Sequence, residues 1–263
     1  MSQAGNGRET KKAIVLITGA SSGLGAALTR LLDETLPDEL VLWLIARNEK
    51  KLASFASPLR HEARILDLDL STDLSYERLN ELFEQEEPVV HLLVNNAGEG
   101  CAGTFGSQKP ESHRQLCDLN VRAQLAMTSL ALPFMQEGSS ILFTSSVAAF
   151  LPQPGFAAYA ASKAFILSFG RALREEVKKQ GIRVSVTCPN PMLTEFFTAE
   201  QKEALLKSYK RFGIEDPVRV AQKTLVAMRR NKGVVVTSPV GKLIRLAAKV
   251  LPTGWLLRMI SWD

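Results

Sequence analysis

Ala13-Ile14-Val15-Leu16-Ile17-Thr18 runs without a break into Gly19-Ala20-Ser21-Ser22-Gly23-Leu24-Gly25. The first six residues are an apolar run of strand length. Three glycines follow within seven residues, and residues 24–36 continue with apolar positions at helical spacing. A strand that turns on glycines straight into a helix has two properties at the turn. Glycine accepts left-handed backbone and lets the chain come close to a ligand, and the helix start offers free N–H donors with a partial positive charge. This context on both sides predicts a dinucleotide pyrophosphate site built from Gly19, Ser21, Ser22, Gly23, Leu24 and Gly25.

Outward from this turn the alternation repeats. Residues 40–46 (LVLWLIA), a run led by Ile65 and Leu66, residues 89–95 (VVHLLVN), 140–145 (SILFTS), 183–188 (RVSVTC) and 233–237 (GVVVT) read as further strands. Residues 74–84, 111–135 and 158–179 read as helices. Continuous apolar strands alternating with helices imply an α/β, doubly wound (Rossmann) parallel sheet of seven strands, with helices on both faces. Ligands bind beyond the carboxyl ends of such strands. No linker or repeat divides the chain, so one domain is expected over residues 13–263, preceded by a disordered polar tail over residues 1–12.

Composition narrows the function. The chain has 263 residues, 46% hydrophobic and 22% charged, with a formal charge of +5. Its basic residues are scattered, which predicts no nucleic-acid partner. Cys101, Cys117 and Cys188 form no CxxC pair and are odd in number, which fits a reducing, cytoplasmic compartment. His61, His91 and His113 lack metal-ligand spacing, so no metal is expected. No segment reads as a signal peptide or as a transmembrane helix.

Ile45-Ala46-Arg47-Asn48 ends the second strand. A site for NAD places a carboxylate near here for the ribose 2′-hydroxyl, and Ala46 cannot supply one. Arg47 offers a planar fork for a 2′-phosphate, with Ser22 as a further hydroxyl, so NADP(H) is the expected cofactor. Tyr159 and Lys163 are four residues apart at the start of a helix, so phenol and ammonium share a face. The neighbouring charge is expected to lower the phenol's pKa and make it a proton shuttle.

The Thr-Gly-x-x-x-Gly-x-Gly spacing from Thr18 to Gly25 resembles the short-chain dehydrogenase/reductase family, and ordered motifs extend the resemblance over residues 13–194. An arginine after the second strand is similar to that family's NADP(H) marker. Asp69-Leu70 resembles its adenine contact, and Asn95-Asn96-Ala97-Gly98 its fourth-strand element, with Asn96, Ala97 and Gly98 against the adenosine ribose. The resemblance implies that Lys163 also binds the nicotinamide ribose. It implies that Ser146, 13 residues before Tyr159, holds the substrate oxygen in preference to Ser145, and that Asn120 positions Lys163 through a water. Pro189 and Thr194 match the nicotinamide-binding element, Thr194 at the carboxamide, but Asn190 stands where the family usually has glycine. Asparagine tolerates left-handed backbone, which would keep that turn.

Residues 195–215 are expected to form a substrate lid, with Phe196, Phe197, Leu205, Leu206, Tyr209 and Phe212 joining Phe150, Leu151 and Phe156 around an apolar pocket. Residues 240–262 are expected to be helical. Lys242, Arg245 and Lys249 would face out, opposite a core-type stripe of Leu243, Ile244, Ala247 and Leu251; docking on the sheet or a partner subunit is favoured over membrane contact. The family resemblance implies a homodimer or homotetramer, for which Ala157, Ala158, Ala160 and Ala161 leave room for close helix approach.

The reading is an NADPH-dependent reductase of an apolar or aromatic ketone or aldehyde. A steroid, another lipid or a 3-oxoacyl chain are sub-classes. The Ala46-Arg47-Asn48 pattern is also similar to sepiapterin reductases, which adds a pterin. The other class is a non-catalytic NADP(H)-sensing binding protein. A sensor has no need of an acid–base pair, so Asn120, Ser146, Tyr159 and Lys163 together weigh against it. Arg47→Asp is expected to raise the NADPH dissociation constant by about tenfold to a hundredfold, the worth of a charge-assisted contact. Titrating NADPH and NADH into both proteins checks it, and an unchanged preference overturns the cofactor assignment.

Overall fold

The computed structural model describes residues 12–207 and 209–260. The expected tail, apart from Lys12, lies outside the described residues, as do Trp262 and the side chain of Tyr209. Seven parallel strands form one sheet: β1 (Ala13–Thr18), β2 (Val41–Ala46), β3 (Ala63–Asp67), β4 (Val89–Asn95), β5 (Ser140–Thr144), β6 (Arg183–Cys188) and β7 (Val234–Val236). Their order is β3-β2-β1-β4-β5-β6-β7. The order reverses direction between β1 and β4, which opens a crevice at their carboxyl ends. The expected doubly wound fold is therefore the observed one.

Alternation along each strand feeds two cores. Ile14 and Leu16 of β1 point with Trp43, Phe143 and Val186 toward α3 (Asp73–Glu86), α5 (Ala123–Ala131) and α6 (Ala157–Glu176). Val15 and Ile17 point the other way, with Leu42, Leu44 and Leu142, toward α1 (Gly23–Thr35), α2 (Glu49–Ala56) and α8 (Pro217–Arg229). Both faces are covered, which is why the central strands read as unbroken apolar runs.

The helix expected over 111–135 is three pieces: α4 (Pro110–Cys117), a π turn over Asp118–Arg122, and α5. The π turn carries Asn120, and Pro133 converts the end into a 3-10 turn. α2 and α8 lie outside the helices expected from the sequence. Their capping residues do announce them: Asn48 accepts from Lys51 N and Asp216 from Arg219 N, each at 2.9 Å. α7 (Ala199–Lys207) lies within the expected lid.

The C-terminal segment forms α9 (Pro239–Val250) and α10 (Thr253–Ile260). The expected facing of α9 is corrected. Arg245 turns inward, its guanidinium 5.7 Å from the centroid of the Phe150 ring, while Leu243 and Leu251 are exposed. Gly241 is the reason: a Cβ there would stand 2.7 Å from Val147 and 2.9 Å from Asn190 Oδ1, so this glycine must face the body. Residue 245 lies one turn on and follows it inward.

At the opposite end of the sheet, Asp33 and His61 form a buried pair. Asp33 accepts from His61 Nδ1 at 2.8 Å and from the backbone N–H groups of Arg60 and His61 at 3.0 and 2.9 Å. His61 Nε2 donates to Pro37 O at 2.9 Å. Burial works against the charged ring, but the carboxylate and the carbonyl outweigh it and raise the pKa above the ordinary 6.5. Both ring nitrogens then donate, which the imidazolium alone can do. A raised histidine contributes stability that is full below its unfolded value and is lost as pH rises through the folded value. Thermal unfolding is therefore expected to show Tm falling above pH 6.5. His61→Gln should lower stability by about 1–3 kcal/mol at pH 6 and flatten that slope; an identical slope in the variant overturns the assignment.

Candidate active site

The glycine turn is built for close approach. Gly19 and Gly23 have φ of 66° and 53°, in the left-handed region. A Cβ on Gly25 would stand 2.0 Å from Gly19 O. The amides of Gly19 and Ala20 donate to Ile45 O, which bends the turn onto β2. Ser22 caps α1 without a side-chain hydrogen bond, and the first turn holds no acidic residue. The first N–H groups of α1 are thus left for an anion, and a pyrophosphate fits them. Leu24 is buried in the core, so only its backbone faces the turn.

Thr18 ties the turn to β4. Its hydroxyl donates to Val94 O at 3.3 Å and accepts from the N–H groups of Asn96 and Ala97 at 2.9 and 3.0 Å. Asn96 donates to Thr18 O at 3.2 Å and accepts from the Thr144 hydroxyl at 3.3 Å, bracing the ends of β1, β4 and β5. Its side chain is committed to the frame.

Arg47 is exposed at the end of β2, and its charge reaches two carboxylates, Asp69 and Glu99. Burial pushes Asp69 up, but the N–H and hydroxyl of Ser71 and the Arg47 charge hold it below the ordinary carboxylate value. Glu99 is raised, chiefly by burial. Asn48 spends its side-chain oxygen on the α2 cap. The cap of α3 is Thr72. Leu70 is buried and its carbonyl accepts from the Tyr76 hydroxyl.

Asn120, Ser146, Tyr159 and Lys163 come together where β4 and β5 end. Lys163 Nζ is buried, donates to Thr144 O at 3.2 Å and stands 5.7 Å from the centroid of the Tyr159 ring. Asn120 is fully buried. It accepts from Glu99 N at 2.8 Å and donates to Glu99 O at 2.9 Å and to Ser162 Oγ at 3.1 Å. Ser162 in turn donates to Tyr159 O at 2.7 Å. Gly98 fills the space between: a Cβ there would stand 2.9 Å from Asn120 Oδ1 and 3.2 Å from Lys163 Nζ. The two serines divide. Ser145 donates to Lys163 O at 2.7 Å, inside the frame, whereas Ser146 caps Ala148 N at 3.1 Å and lies close enough to the Tyr159 phenol to lower its pKa.

The expected pKa of Tyr159 is corrected. Burial pushes the phenol up to about 12, with the Ser146 hydroxyl pulling the other way. Burial also pushes Lys163 down to about 8. Desolvation, which a sequence does not display, outweighs the neighbouring charge. The phenol is accordingly protonated at neutral pH, the state of a proton donor.

The segment after β6 closes over this group. A Cβ on Gly23 would touch Thr194 at 3.3 Å, so Thr194 lies on the glycine turn. Glu195 pairs with Lys51 of α2 across the cleft. Phe196 and Phe156 stand edge-on to Tyr159 at 5.7 and 6.3 Å, and Phe196 also packs on Gly100. The expected apolar cluster is otherwise split: Leu205 is buried, Leu206 and Phe212 face solvent, and Phe150 lies under Arg245. Pro189 O accepts from Val147 N at 3.0 Å. Asn190 is not left-handed, contrary to the expected reason for its presence. Its side chain is buried instead between Gly213 and Gly241, whose Cβ atoms would meet it at 2.4 and 2.9 Å. Its N–H donates to Glu215 at 2.9 Å. Nothing in the linear sequence signalled Glu215 or the two glycines; Thr18 and Ser162 sit inside motifs already quoted.

Among the described residues, no three or more His, Cys, Asp or Glu side chains gather to hold a metal. A model of the short chain dehydrogenase family matches residues 13–205. The chain belongs to the short-chain dehydrogenase family. It is an oxidoreductase of that family, and three solved relatives share its fold. A short-chain dehydrogenase of Sphingobium yanoikuyae in complex with NADPH is 25% identical, with 95% of this chain and 97% of that one covered and a TM-score of 0.78. A Burkholderia phymatum member in complex with NAD is also 25% identical, over 91% and 94%, with a TM-score of 0.78. The bulky-bulky ketone specific alcohol dehydrogenase of Comamonas testosteroni is 26% identical over 97% of both chains, with a TM-score of 0.75.

The division of the two serines in this dehydrogenase is testable. Ser146→Ala is expected to lower turnover by about a hundredfold or more with a small change in Tm. Ser145→Ala should act mainly on Tm, since it removes a buried frame contact. Equal turnover losses in the two variants would refute the division.

Proposed function

We propose that this oxidoreductase is an NADPH-dependent reductase of a ketone or aldehyde on an apolar or aromatic small molecule. The observation that carries the reading is the Tyr159 phenol. It is protonated at neutral pH, neighboured by the Ser146 hydroxyl, flanked by a buried ammonium and walled by Phe156 and Phe196. NADPH, when bound, supplies the hydride. Ser146 hydrogen-bonds the substrate oxygen and polarises the carbonyl. Tyr159 gives its proton to that oxygen as the new C–H bond forms at carbon, leaving an alcohol and a phenolate. The Lys163 charge stabilises the phenolate through the low-dielectric interior. Asn120 is a positioning residue: it holds the Glu99 backbone and Ser162, and so the start of α6.

Gly19, Ser21, Ser22, Gly23, Leu24 and Gly25 receive the pyrophosphate on backbone N–H groups. Arg47 answers the 2′-phosphate, with Asp69 and Leu70 toward the adenine and Ala97 and Gly98 along the ribose. Lys163 binds the nicotinamide ribose, and Pro189 and Thr194 border the carboxamide. The preference for NADPH rests on Ala46, which cannot supply the carboxylate of an NAD site, and on the Arg47 cation beside it. The aromatic walls favour a bulky apolar carbonyl, and the Comamonas relative is named as specific for bulky-bulky ketones.

NADPH consumption over diketones, aromatic aldehydes, steroids, 3-oxoacyl thioesters and pterins tests the reading. Turnover is expected with a bulky carbonyl. Tyr159→Phe should lower it by about a hundredfold to ten-thousandfold while NADPH still binds. Turnover unchanged in Tyr159→Phe refutes the proton donor, and NADPH binding without turnover across the panel favours a sensor.

A further inference from the structure

Residues 239–260 contain four cations, Lys242, Arg245, Lys249 and Arg258, and no aspartate or glutamate. They account for most of the chain's formal charge of +5. Gly241 and Arg245 face the body, which decides what α9 shows to solvent. The outward face carries Leu243, Leu246 and Val250, at 66%, 59% and 71% exposure, spaced as one helical stripe. Leu251 and Trp255 continue the apolar surface onto the turn and α10, with Trp255 66% exposed. Lys242 and Lys249 are exposed beside the stripe, and Arg258 is exposed on α10.

A contiguous apolar face rimmed by charge marks an interaction surface. A second copy on this face would meet it through a two-fold axis, and each cation would approach others of its own sign with no acidic residue in the segment to answer them. A lipid surface with anionic headgroups satisfies both components. The stripe enters the acyl boundary, the lysines meet the headgroups, and tryptophan is the side chain suited to the interface. Among the described residues no helix is long and apolar enough to cross a membrane. The arrangement is that of a helix lying on a membrane.

We propose that α9 and α10 form an interfacial anchor for a membrane surface bearing anionic lipid. α9 packs on the 3-10 turn Val147–Phe150, which directly follows Ser146. Docking therefore holds the carboxyl end of the sheet beside the lipid.

The test is co-sedimentation of the full chain with vesicles of phosphatidylcholine alone and of phosphatidylcholine mixed with phosphatidylglycerol. It has no enzymatic readout, so it stands or falls apart from the proposed reaction. The protein is expected to pellet with the anionic vesicles, far less with the neutral ones, and less as salt rises. The double variants L243E/L246E and K242E/K249E should each lower the bound fraction by roughly tenfold or more while keeping wild-type circular dichroism and Tm. Protein left in the supernatant with anionic vesicles at low salt overturns the proposal. So does undiminished binding by either double variant. A fall in oligomeric mass of L243E/L246E in sedimentation velocity without lipid would assign the face to a second copy instead.

Discussion

A buried ammonium organises the functional end of this molecule. Lys163 is 3% exposed, and its ammonium donates to a neutral backbone carbonyl, Thr144 O. Desolvating a cation without an anionic partner is costly, and its pKa falls to about 8 in consequence. The neighbours are arranged around that cost. Gly98 has no side chain, so backbone can lie against the ammonium. The Tyr159 ring stands beside it. Asn120 pins Glu99 and Ser162, which keeps the start of α6, and so Lys163, in place.

That arrangement needs the strand ends to be rigid. Thr18 and Asn96 supply the rigidity by knitting β1, β4 and β5 just past their last ladder bonds. The same knot shapes the glycine turn, because Asn96 Nδ2 would clash at 2.6 Å with any Cβ on Gly25. Glycine in this turn is thus required by the packing of the turn against β4. The switch in strand order between β1 and β4 puts both halves of the site on one crevice.

The far side of the site is decided by a second packing constraint. Asn190 occupies a place that is filled only because Gly213 and Gly241 leave it room. Gly241 in turn sets the rotation of α9, and with it which residues of the last two helices meet solvent. A single close approach behind the carboxyl end of β6 therefore determines the character of a surface several residues away.

The strand–helix alternation, the glycine turn and the positions of Asn120, Ser146, Tyr159 and Lys163 were legible in the linear chain. The fold and the glycine turn rest on local spacing: apolar runs of strand length, apolar positions at helical spacing and a turn that needs glycine; Tyr159 and Lys163 rest on their i,i+4 offset, and Asn120 and Ser146 on the resemblance to the family. α2 and α8 were missed, although Asn48 and Asp216-Pro217 marked their starts. The π turn at Asn120, the division between Ser145 and Ser146, the burial that pushes Tyr159 up and Lys163 down, and the inward turn of Arg245 were decided by tertiary structure alone. All four depend on which atoms, distant in sequence, approach within a few ångströms. Desolvation and close contact belong to the packed molecule, and the order of residues does not encode them locally.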